Sequence, residues 1–382
     1  MLGFIFILSF FYFAGSVWLD IRYSNVMSVM AGLFLSFLLS MYYFNGIDWL
    51  NYYYVFDVFK DAFEIRYDLF FNVYFYVMAK LFGNFNFTIL IFYLLCFFFL
   101  YHSIKKSCML INGPAFIYCI FFLSGLPLFI DQIRQFAAVC ICSIAVNYLV
   151  KGDFKKSYKY IFAAALFHYS SLFLFIYRFI VDSSKKRIIL LGVSLVTISY
   201  VIGSGLLVHL QIVEKIPIVG PELFRKVGIY AKQMDSFEVR IGFGIIADVL
   251  VISCYCFTKT LDKNKSRLWN ILFISACFHM CFYYIPAFSR FNYFSNISYA
   301  ILFASLFTKP MQMKINFQNL SLILAVLILS FIVTVKSIGD ENRPAFKDYT
   351  LNYFFSNESG IEKLRSDRCF IVDSEMKNFC AK

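Results

Sequence analysis

Charged residues are scarce in this chain of 382 residues. Asp, Glu, Lys and Arg together make up 15% of it, whereas 61% of the residues are hydrophobic. A soluble domain carries about 25% charged and roughly 45–50% apolar residues. Polar stretches long enough for a soluble domain are also missing, because apolar runs of roughly 15–20 residues recur along the whole chain. The composition excludes an ordinary soluble fold and predicts an all-α polytopic membrane protein.

Signals of common cofactor chemistry are missing too. The chain has no glycine-rich phosphate loop, no His-Glu-x-x-His motif and no Cys–His pair at zinc-ligand spacing. It also lacks a soluble nucleotide-binding domain with an Asp-x-Asp motif. Most of its 11 cysteines lie in or beside apolar runs, where cysteine packs as a small hydrophobic residue. We therefore expect no metal and no cofactor.

The net charge of +12 does not indicate a nucleic-acid partner. Lysines and arginines form short clusters between apolar runs, which is the pattern that orients membrane proteins with their positive loops in the cytoplasm. With re-entrant stretches included, the apolar runs predict about 10–12 transmembrane segments. The ten candidate full spans are 2–19, 26–44, 84–101, 113–130, 136–150, 188–209, 241–258, 268–285, 291–308 and 317–335.

The lysine clusters also predict the orientation. They assign the lysine-rich turns to the cytoplasm, so the loops 45–66 and 210–240 are predicted to be extracytoplasmic. Residues 1–335 then form a single transmembrane domain. Residues 336–382 form an extracytoplasmic tail, on the same side of the membrane as the N-terminus.

Two apolar stretches break the alternation of sides. The stretch 67–82 is short for a span, and we expect a re-entrant or interfacial helix on the outer side. The stretch 160–181 has basic clusters on both sides and His168 near its middle. Either it is a re-entrant hairpin that turns at His168, or one flanking cluster defies the positive-inside bias.

Three isolated arginines stand at the predicted outer ends of spans, where the orientation rule disfavours positive charge. They are Arg134, Arg240 and Arg290. A charge at membrane depth is a functional candidate, and guanidinium is suited to bidentate binding of phosphate or carboxylate. The three arginines therefore indicate a cradle for a lipid pyrophosphate. The alternative is separate bonding to helix-end carbonyls or to nearby acids, namely Asp131, Asp235 and Glu238.

The outer loop 45–66 combines an acid with a run of aromatic residues. Asp48 is followed closely by Trp49, Tyr52 and Tyr53. Flat rings cover the apolar faces of sugars, and a carboxylate accepts hydroxyl protons, so the pattern indicates a carbohydrate site. The alternative is an interfacial aromatic belt in which Asp48 caps a helix.

Four short motifs resemble the EpsG-like and O-antigen polymerase (Wzy-type) family of membrane polysaccharide polymerases. Their order and spacing over about 250 residues match the family. The motifs are Gly46-x-Asp48 with Tyr52 and Phe56, Arg134-Gln135 with Ala138, Phe167-His168-Tyr169-Ser170-Ser171 after an Ala-rich helix, and Arg290 with Tyr293-Phe294. Where the family often has Glu-Pro, this chain has Glu64-Ile65-Arg66, which leaves a role for Glu64 in doubt and adds Arg66 as a fourth cationic contact.

The resemblance implies a GT-C-like membrane glycosyltransferase without metal or nucleotide sugar. Such an enzyme transfers a growing glycan from one undecaprenyl pyrophosphate onto a second lipid-linked repeat unit, building O-antigen, capsule or exopolysaccharide. Its partners are these lipid-linked glycans, membrane lipid and, in some systems, a chain-length regulator. The catalytic candidates are Asp48, His168, Arg134 and Arg290. The substrate-binding candidates are Arg66, Arg240, Trp49, Tyr52, Tyr53, Gln135 and Tyr293.

Two other functions fit a polytopic chain with arginines near one membrane face. One is a ligase-type membrane glycosyltransferase, and the other is a lipid-linked oligosaccharide flippase. A flippase is expected to have pseudo-symmetric halves and charges distributed through its depth, whereas this chain has no evident repeat. The other histidines, His102, His209 and His279, are interpreted as structural.

Overall fold

The structure is a computed structural model of the chain. It describes residues 10, 12–15, 23–43, 46, 48–203, 243–257, 262–282, 290–308, 316–339, 363 and 366. Every regular element in these residues is helical, which confirms the predicted all-α polytopic class. Five of the helices are long and apolar enough to cross a membrane. The predicted span 2–19 and the predicted loop 210–240 lie largely or wholly outside the described residues.

Thirteen α-helices of the described residues are numbered here in chain order. They are α1 (Ser24–Tyr42), α2 (Trp49–Asp61), α3 (Leu69–Phe82), α4 (Phe85–Lys105), α5 (Gly113–Leu126), α6 (Ile133–Lys151), α7 (Phe154–Ala165), α8 (Tyr177–Val181), α9 (Lys185–Gly203), α10 (Phe243–Phe257), α11 (Lys263–Phe282), α12 (Asn292–Leu306) and α13 (Phe317–Gly339). A π-helical turn, Pro127–Asp131, extends α5, and a 3₁₀ segment, Tyr169–Ile176, leads into α8.

Basic residues meet at one end of the helix bundle. The ammonium group of Lys151 donates to the carbonyl of Lys106 at 2.9 Å, and that of Lys185 donates to the carbonyl of Cys256 at 2.8 Å. The first bond joins the ends of α4 and α6, the second joins the start of α9 to the end of α10, and Arg267 links the two pairs through Val150 and Asp182. We call this end of the bundle the lysine end. Among the described residues, the clusters that contain Lys106, Lys151 and Lys185 therefore lie at one end of the bundle.

A buried arginine fastens three chain segments at the lysine end. Arg267 of α11 bonds Asp182 through two nitrogens at 2.5 and 2.8 Å, and its third contact is the carbonyl of Val150 at 2.6 Å. Gly152 follows α6 with φ +87°, and a Cβ there would lie 3.1 Å from the Arg267 guanidinium. Glycine at this position leaves room for the guanidinium and takes the left-handed conformation at no steric cost.

The predicted re-entrant stretch 67–82 forms the short helix α3. Its 14 residues correspond to about 21 Å at 1.5 Å per residue, which is less than the roughly 30 Å of a hydrocarbon core. Gly83 ends the helix in the left-handed conformation, and Asn84 at once caps the start of α4 through the amide of Phe87. The chain therefore turns from α3 directly into α4, and the length of α3 supports the re-entrant or interfacial prediction.

The stretch 160–181 turns back on itself at His168. The helix α7 ends at Ala165, and the 3₁₀ segment runs back beside it, with the Phe175 ring 5.1 Å from those of both Tyr158 and Phe162. Farther along, the guanidinium of Arg178 lies 3.6 Å from the centre of the Phe154 ring, at the start of α7. The first arm therefore begins at the lysine end and the second arm ends there. This favours the re-entrant hairpin over a full crossing.

Reporter fusions test this hairpin without assuming an absolute orientation. We expect a topology reporter fused after Gly152 and one fused after Ser184 to report the same side of the membrane, because the segment between them returns to its starting level. A fusion after Gly83 serves as the control and should report the opposite side. Opposite signals from positions 152 and 184 would mean that 160–181 crosses the membrane.

Candidate active site

The site lies at the end of the bundle opposite the lysine end, where α5 breaks. Gly125 has φ +69° and ψ 172°, which interrupts the helix, and a π-helical turn follows from Pro127 to Asp131. Only Gln132 separates this turn from α6. Single π turns often mark functional sites. The predicted spans ended at 130 and resumed at 136, whereas α6 begins at Ile133, so Arg134 lies in its first turn.

Asp131 anchors the loop that carries the Gly46-x-Asp48 motif. This carboxylate is 6% exposed, and one of its oxygens accepts the backbone amide of Asp48 at 3.5 Å. A Cβ on Gly46 would lie 2.5 Å from the same oxygen and 3.1 Å from the carbonyl of Ile130. Only glycine permits this approach, which explains why the motif begins with glycine in this chain.

Asp48 occupies the N-cap position of α2, but its side chain makes no capping hydrogen bond. The helix-capping alternative therefore does not describe this carboxylate. The side chain is half-buried, and its charge acts on the hydroxyls of Tyr52 and Tyr67, where it contributes to raising their pKa after the larger effect of burial. The carboxylate thus lies near the rings that face Arg134.

Arg134 is held by an ion pair, a hydroxyl and an aromatic face. Its Nη1 donates to Asp68 at 2.7 Å, and its Nε donates to the Tyr52 hydroxyl at 3.4 Å. The guanidinium carbon lies 4.4 Å from the centre of the Tyr67 ring. The side chain of Arg134 stays 25% exposed, so the group is fixed but reachable. The acid that pairs with it is Asp68, whereas the sequence alternative named Asp131.

His168 lies at the turn of the 160–181 hairpin, where its ring accepts a hydrogen bond. Its Nδ1 accepts the backbone amide of Ser170 at 3.3 Å and lies 2.7 Å from the Ser170 hydroxyl. Burial, followed by the positive charges of Arg134 and Arg290, lowers the pKa of His168 to about 3. A neutral ring whose Nδ1 accepts carries its proton on Nε2. His168 therefore presents a hydrogen-bond donor and is poorly suited to act as a base.

Arg290 reaches the same region from the other half of the chain. The buried Gln135 donates its side-chain amide to the carbonyl of Arg290 at 2.8 Å, which ties the start of α12 to the start of α6. The charges of Arg134 and Arg290 both act on His168, so two of the three predicted cradle arginines lie near one histidine. Arg240 lies outside the described residues.

The remaining predicted contact residues occupy different environments. Trp49 and Tyr53 are buried in the core, where the Tyr53 ring lies 5.2 Å from that of Phe85. Tyr293, three residues after Arg290 in the sequence, is half-buried. Arg66 is bonded to Glu64 at 2.7 Å, with its guanidinium 5.0 Å from the Tyr54 ring. The predicted residues that the structure brings together are therefore Asp48, Tyr52, Arg134, His168, Arg290 and, through its backbone contact, Gln135.

Sequence reasoning missed Tyr67 and Asp68 as site residues. Both precede the apolar helix α3, and an acid at that place is usually explained as a helix cap. Asp68 makes no capping hydrogen bond and pairs with Arg134 instead. Within the described ranges, no three His, Cys, Asp or Glu side chains are grouped so as to hold a metal ion.

Comparison with known protein families identifies the chain. The EpsG family matches residues 25–355, which covers most of the sequence and all of the site residues. The chain belongs to the EpsG family. Membership indicates a membrane polysaccharide polymerase, in agreement with the resemblance carried by the four motifs. No curated protein and no solved structure is significantly similar to this EpsG-family chain.

Replacing Gly46 by alanine tests the close approach to Asp131. We expect Gly46→Ala to displace the loop bearing Asp48 and to lower the free energy of unfolding by about 1–3 kcal/mol, because the new methyl group overlaps a buried carboxylate. Gly15→Ala is the matched control, since a Cβ at Gly15 meets nothing within 4 Å. Thermal melting of both purified variants checks the prediction. Equal melting temperatures would contradict the tight approach.

Proposed function

We propose that this EpsG-family protein polymerises lipid-linked oligosaccharide repeat units at the outer face of the bacterial cytoplasmic membrane. The donor is a glycan on undecaprenyl pyrophosphate, and the acceptor is a second lipid-linked repeat unit. The product is an O-antigen, capsule or exopolysaccharide. The lysine end faces the cytoplasm, because positive loops stay on that side, and the site therefore faces outward.

One observation carries the proposal. Two arginines from distant parts of the sequence, Arg134 and Arg290, are brought to the end of the bundle opposite the lysines, where Gln135, next to Arg134, donates to the carbonyl of Arg290 at 2.8 Å. Positive residues in that position oppose the orientation rule, and Arg134 is compensated by an ion pair with Asp68. A pyrophosphate supplies the negative charge that such a pair of guanidinium groups is suited to bind.

The reaction requires a leaving group to depart and a proton to be removed. The acceptor hydroxyl oxygen forms a bond to the anomeric carbon of the donor, and the bond from that carbon to the pyrophosphate oxygen breaks. The electron pair leaves with undecaprenyl pyrophosphate, and Arg134 and Arg290 stabilise the developing charge. The neutral His168 adds a hydrogen bond from Nε2. We propose that these groups act without a metal ion.

Asp48 is the group that we propose as proton acceptor. Its half-buried carboxylate is not used as a helix cap, and it lies near Tyr67, whose ring covers the Arg134 guanidinium. A sugar bound beside Tyr67 would bring its hydroxyl toward Asp48. Trp49 and Tyr53 are buried, whereas Tyr67 and Tyr293 are half-exposed and can contact a sugar.

The phenotype of a deletion strain tests the proposed function directly. We expect the surface glycan of the strain to carry a single repeat unit, in place of the ladder of polymer lengths that the wild type makes. The repeat units are still made, exported and ligated to their surface acceptor. Loss of a flippase would remove surface repeat units altogether. Loss of a ligase would leave the polymer on its lipid carrier. Either of these two patterns would contradict polymerisation.

Substitution of the two arginines tests the cradle. A hydrogen bond to a charged group contributes about 1.5–3 kcal/mol, so we expect Arg134→Ala and Arg290→Ala each to lower turnover roughly 10–150-fold. Arg134→Lys should recover only part of the activity, because lysine keeps the charge but loses the guanidinium fork. Arg178→Lys, at the lysine end, is the matched control. Normal polymer ladders from both alanine variants at normal expression would contradict the cradle.

Replacement of Asp48 by asparagine tests the proton acceptor. Asparagine preserves the shape of the side chain but cannot take a proton, so we expect turnover to fall about 10²–10⁴-fold. Asp57→Asn is the control on the same helix, because Asp57 is exposed and paired with Lys60. Polymer formation and binding of donor lipid are measured separately in membranes. Full polymerisation by the Asp48→Asn variant would assign the proton to another acceptor.

A further inference from the structure

A buried amide side chain lies in the first turn of the short apolar helix α3. Asn72 is fully buried, and its neighbours along this helix are apolar on both sides. A polar side chain in such surroundings lowers stability unless its donor and acceptor groups are both hydrogen-bonded. No step of the proposed reaction uses Asn72. Its hydrogen-bond partners therefore indicate what an amide contributes at this position.

Both ends of the Asn72 amide bond the backbone of a single residue, Tyr67. The Oδ1 of Asn72 accepts the backbone N–H of Tyr67 at 3.2 Å, and its Nδ2 donates to the carbonyl of Tyr67 at 2.6 Å. Exchanging the oxygen and the nitrogen would set two acceptors and two donors against each other, so the bonds fix the orientation of the amide. The backbone N–H of Asn72 also donates to the carbonyl of Asp68 at 3.1 Å. Asn72 therefore holds residues 67 and 68 through its side chain and its main chain.

Tyr67 and Asp68 are the two residues that hold the guanidinium of Arg134 from the side of α3. Asp68 accepts from Nη1 of Arg134 at 2.7 Å, and the centre of the Tyr67 ring lies 4.4 Å from the guanidinium carbon. The Tyr67 ring also lies 5.4 Å from the ring of Tyr52, whose hydroxyl accepts from Nε of Arg134 at 3.4 Å. The segment that Asn72 holds therefore supplies both the counter-charge and the aromatic face of Arg134.

The entry into α3 lacks the side-chain cap that usually fixes the start of a helix. Asp68 occupies the N-cap position, but its carboxylate pairs with Arg134 and makes no capping hydrogen bond. A helix start without such a cap is less firmly fixed. The two bonds from Asn72 hold the backbone just before the helix instead, so the positions of Tyr67 and Asp68 depend on them.

We propose that Asn72 is a positioning residue for Arg134. By holding the backbone of Tyr67 and Asp68, it keeps the aromatic face and the carboxylate in the places that orient the guanidinium toward the leaving pyrophosphate. Asn72 touches no substrate, and no covalent bond changes at this residue. The inference rests on the proposed function, because it acts through the arginine to which that function assigns the leaving group.

Replacement of Asn72 by leucine in the purified full chain tests the inference. Leucine has a similar volume and suits an apolar helix, but it removes both bonds to Tyr67. We expect kcat for polymerisation, measured per folded molecule, to fall roughly 10–100-fold with a smaller change in KM, because a small misplacement of a group that acts in the transition state lowers turnover by about that factor. Asn72→Ala is the second variant, which removes the same bonds without filling the space, and we expect a similar fall.

Asn147→Leu is the matched control. Asn147 of α6 is also a fully buried amide, but it bonds the backbone N–H of Cys108 at 2.9 Å and the hydroxyl of Ser103 at 2.9 Å, toward the lysine end. Its replacement removes a comparable set of buried hydrogen bonds far from Arg134. We therefore expect Asn147→Leu to lower the melting temperature and to leave kcat per folded molecule unchanged.

A double-mutant cycle with Arg134→Ala separates positioning from a general effect on the fold. If Asn72 acts through Arg134, Asn72→Leu should lower kcat by no more than about twofold once Arg134 has been replaced. A purely structural role would lower kcat by the same factor in both backgrounds. Equal factors, or an unchanged kcat in both Asn72 variants of an active enzyme, would overturn the inference and leave the proposed function standing. If the wild type makes no polymer, or Arg134→Ala is fully active, the proposed function fails and this inference falls with it.

Discussion

The ion pair between Arg134 and Asp68 is the constraint on which the site depends. A guanidinium in the first turn of a membrane helix requires a counter-charge, and the acid comes from the residue just before α3. Because the pair joins residues 66 positions apart, it fixes the short α3 against the long α6. Tyr52 and Tyr67 then pack around the guanidinium, so its position is determined on three sides.

The two stretches that break the alternation of spans meet at this same place. The backbone amide of Phe70, near the start of α3, donates to the carbonyl of Leu166 at 2.9 Å, and the Phe70 and Phe167 rings lie 5.8 Å apart. Irregular backbone is tolerated at membrane depth only where protein or a water-filled cavity surrounds it. The two stretches therefore pack against each other and share a backbone hydrogen bond, which brings the turn at His168 toward the start of α3.

Two buried ionisable side chains of the described bundle, Arg267 and Asp248, each have a more exposed partner of the opposite type. At the lysine end, Arg267 of α11 bonds Asp182, which follows the hairpin, and the carbonyl of Val150 near the end of α6. These bonds hold the three segments together. At the opposite end, Asp248 is matched by the half-exposed His279. The first arrangement buries the arginine and leaves its acid exposed, whereas the second buries the acid and leaves the histidine side chain 26% exposed.

The sequence by itself determined the membrane class, the approximate helix positions and the residues of the arginine and Gly46-x-Asp48 motifs. These properties depend on composition and local patterns, which are readable along the chain. Tertiary structure decided which acid pairs with Arg134, that Trp49 and Tyr53 are buried, and that His279 has a partner in Asp248. Each of these depends on contacts between helices distant in sequence. Local patterns do not determine such contacts, since the same acid serves equally well as a cap or as a counter-ion.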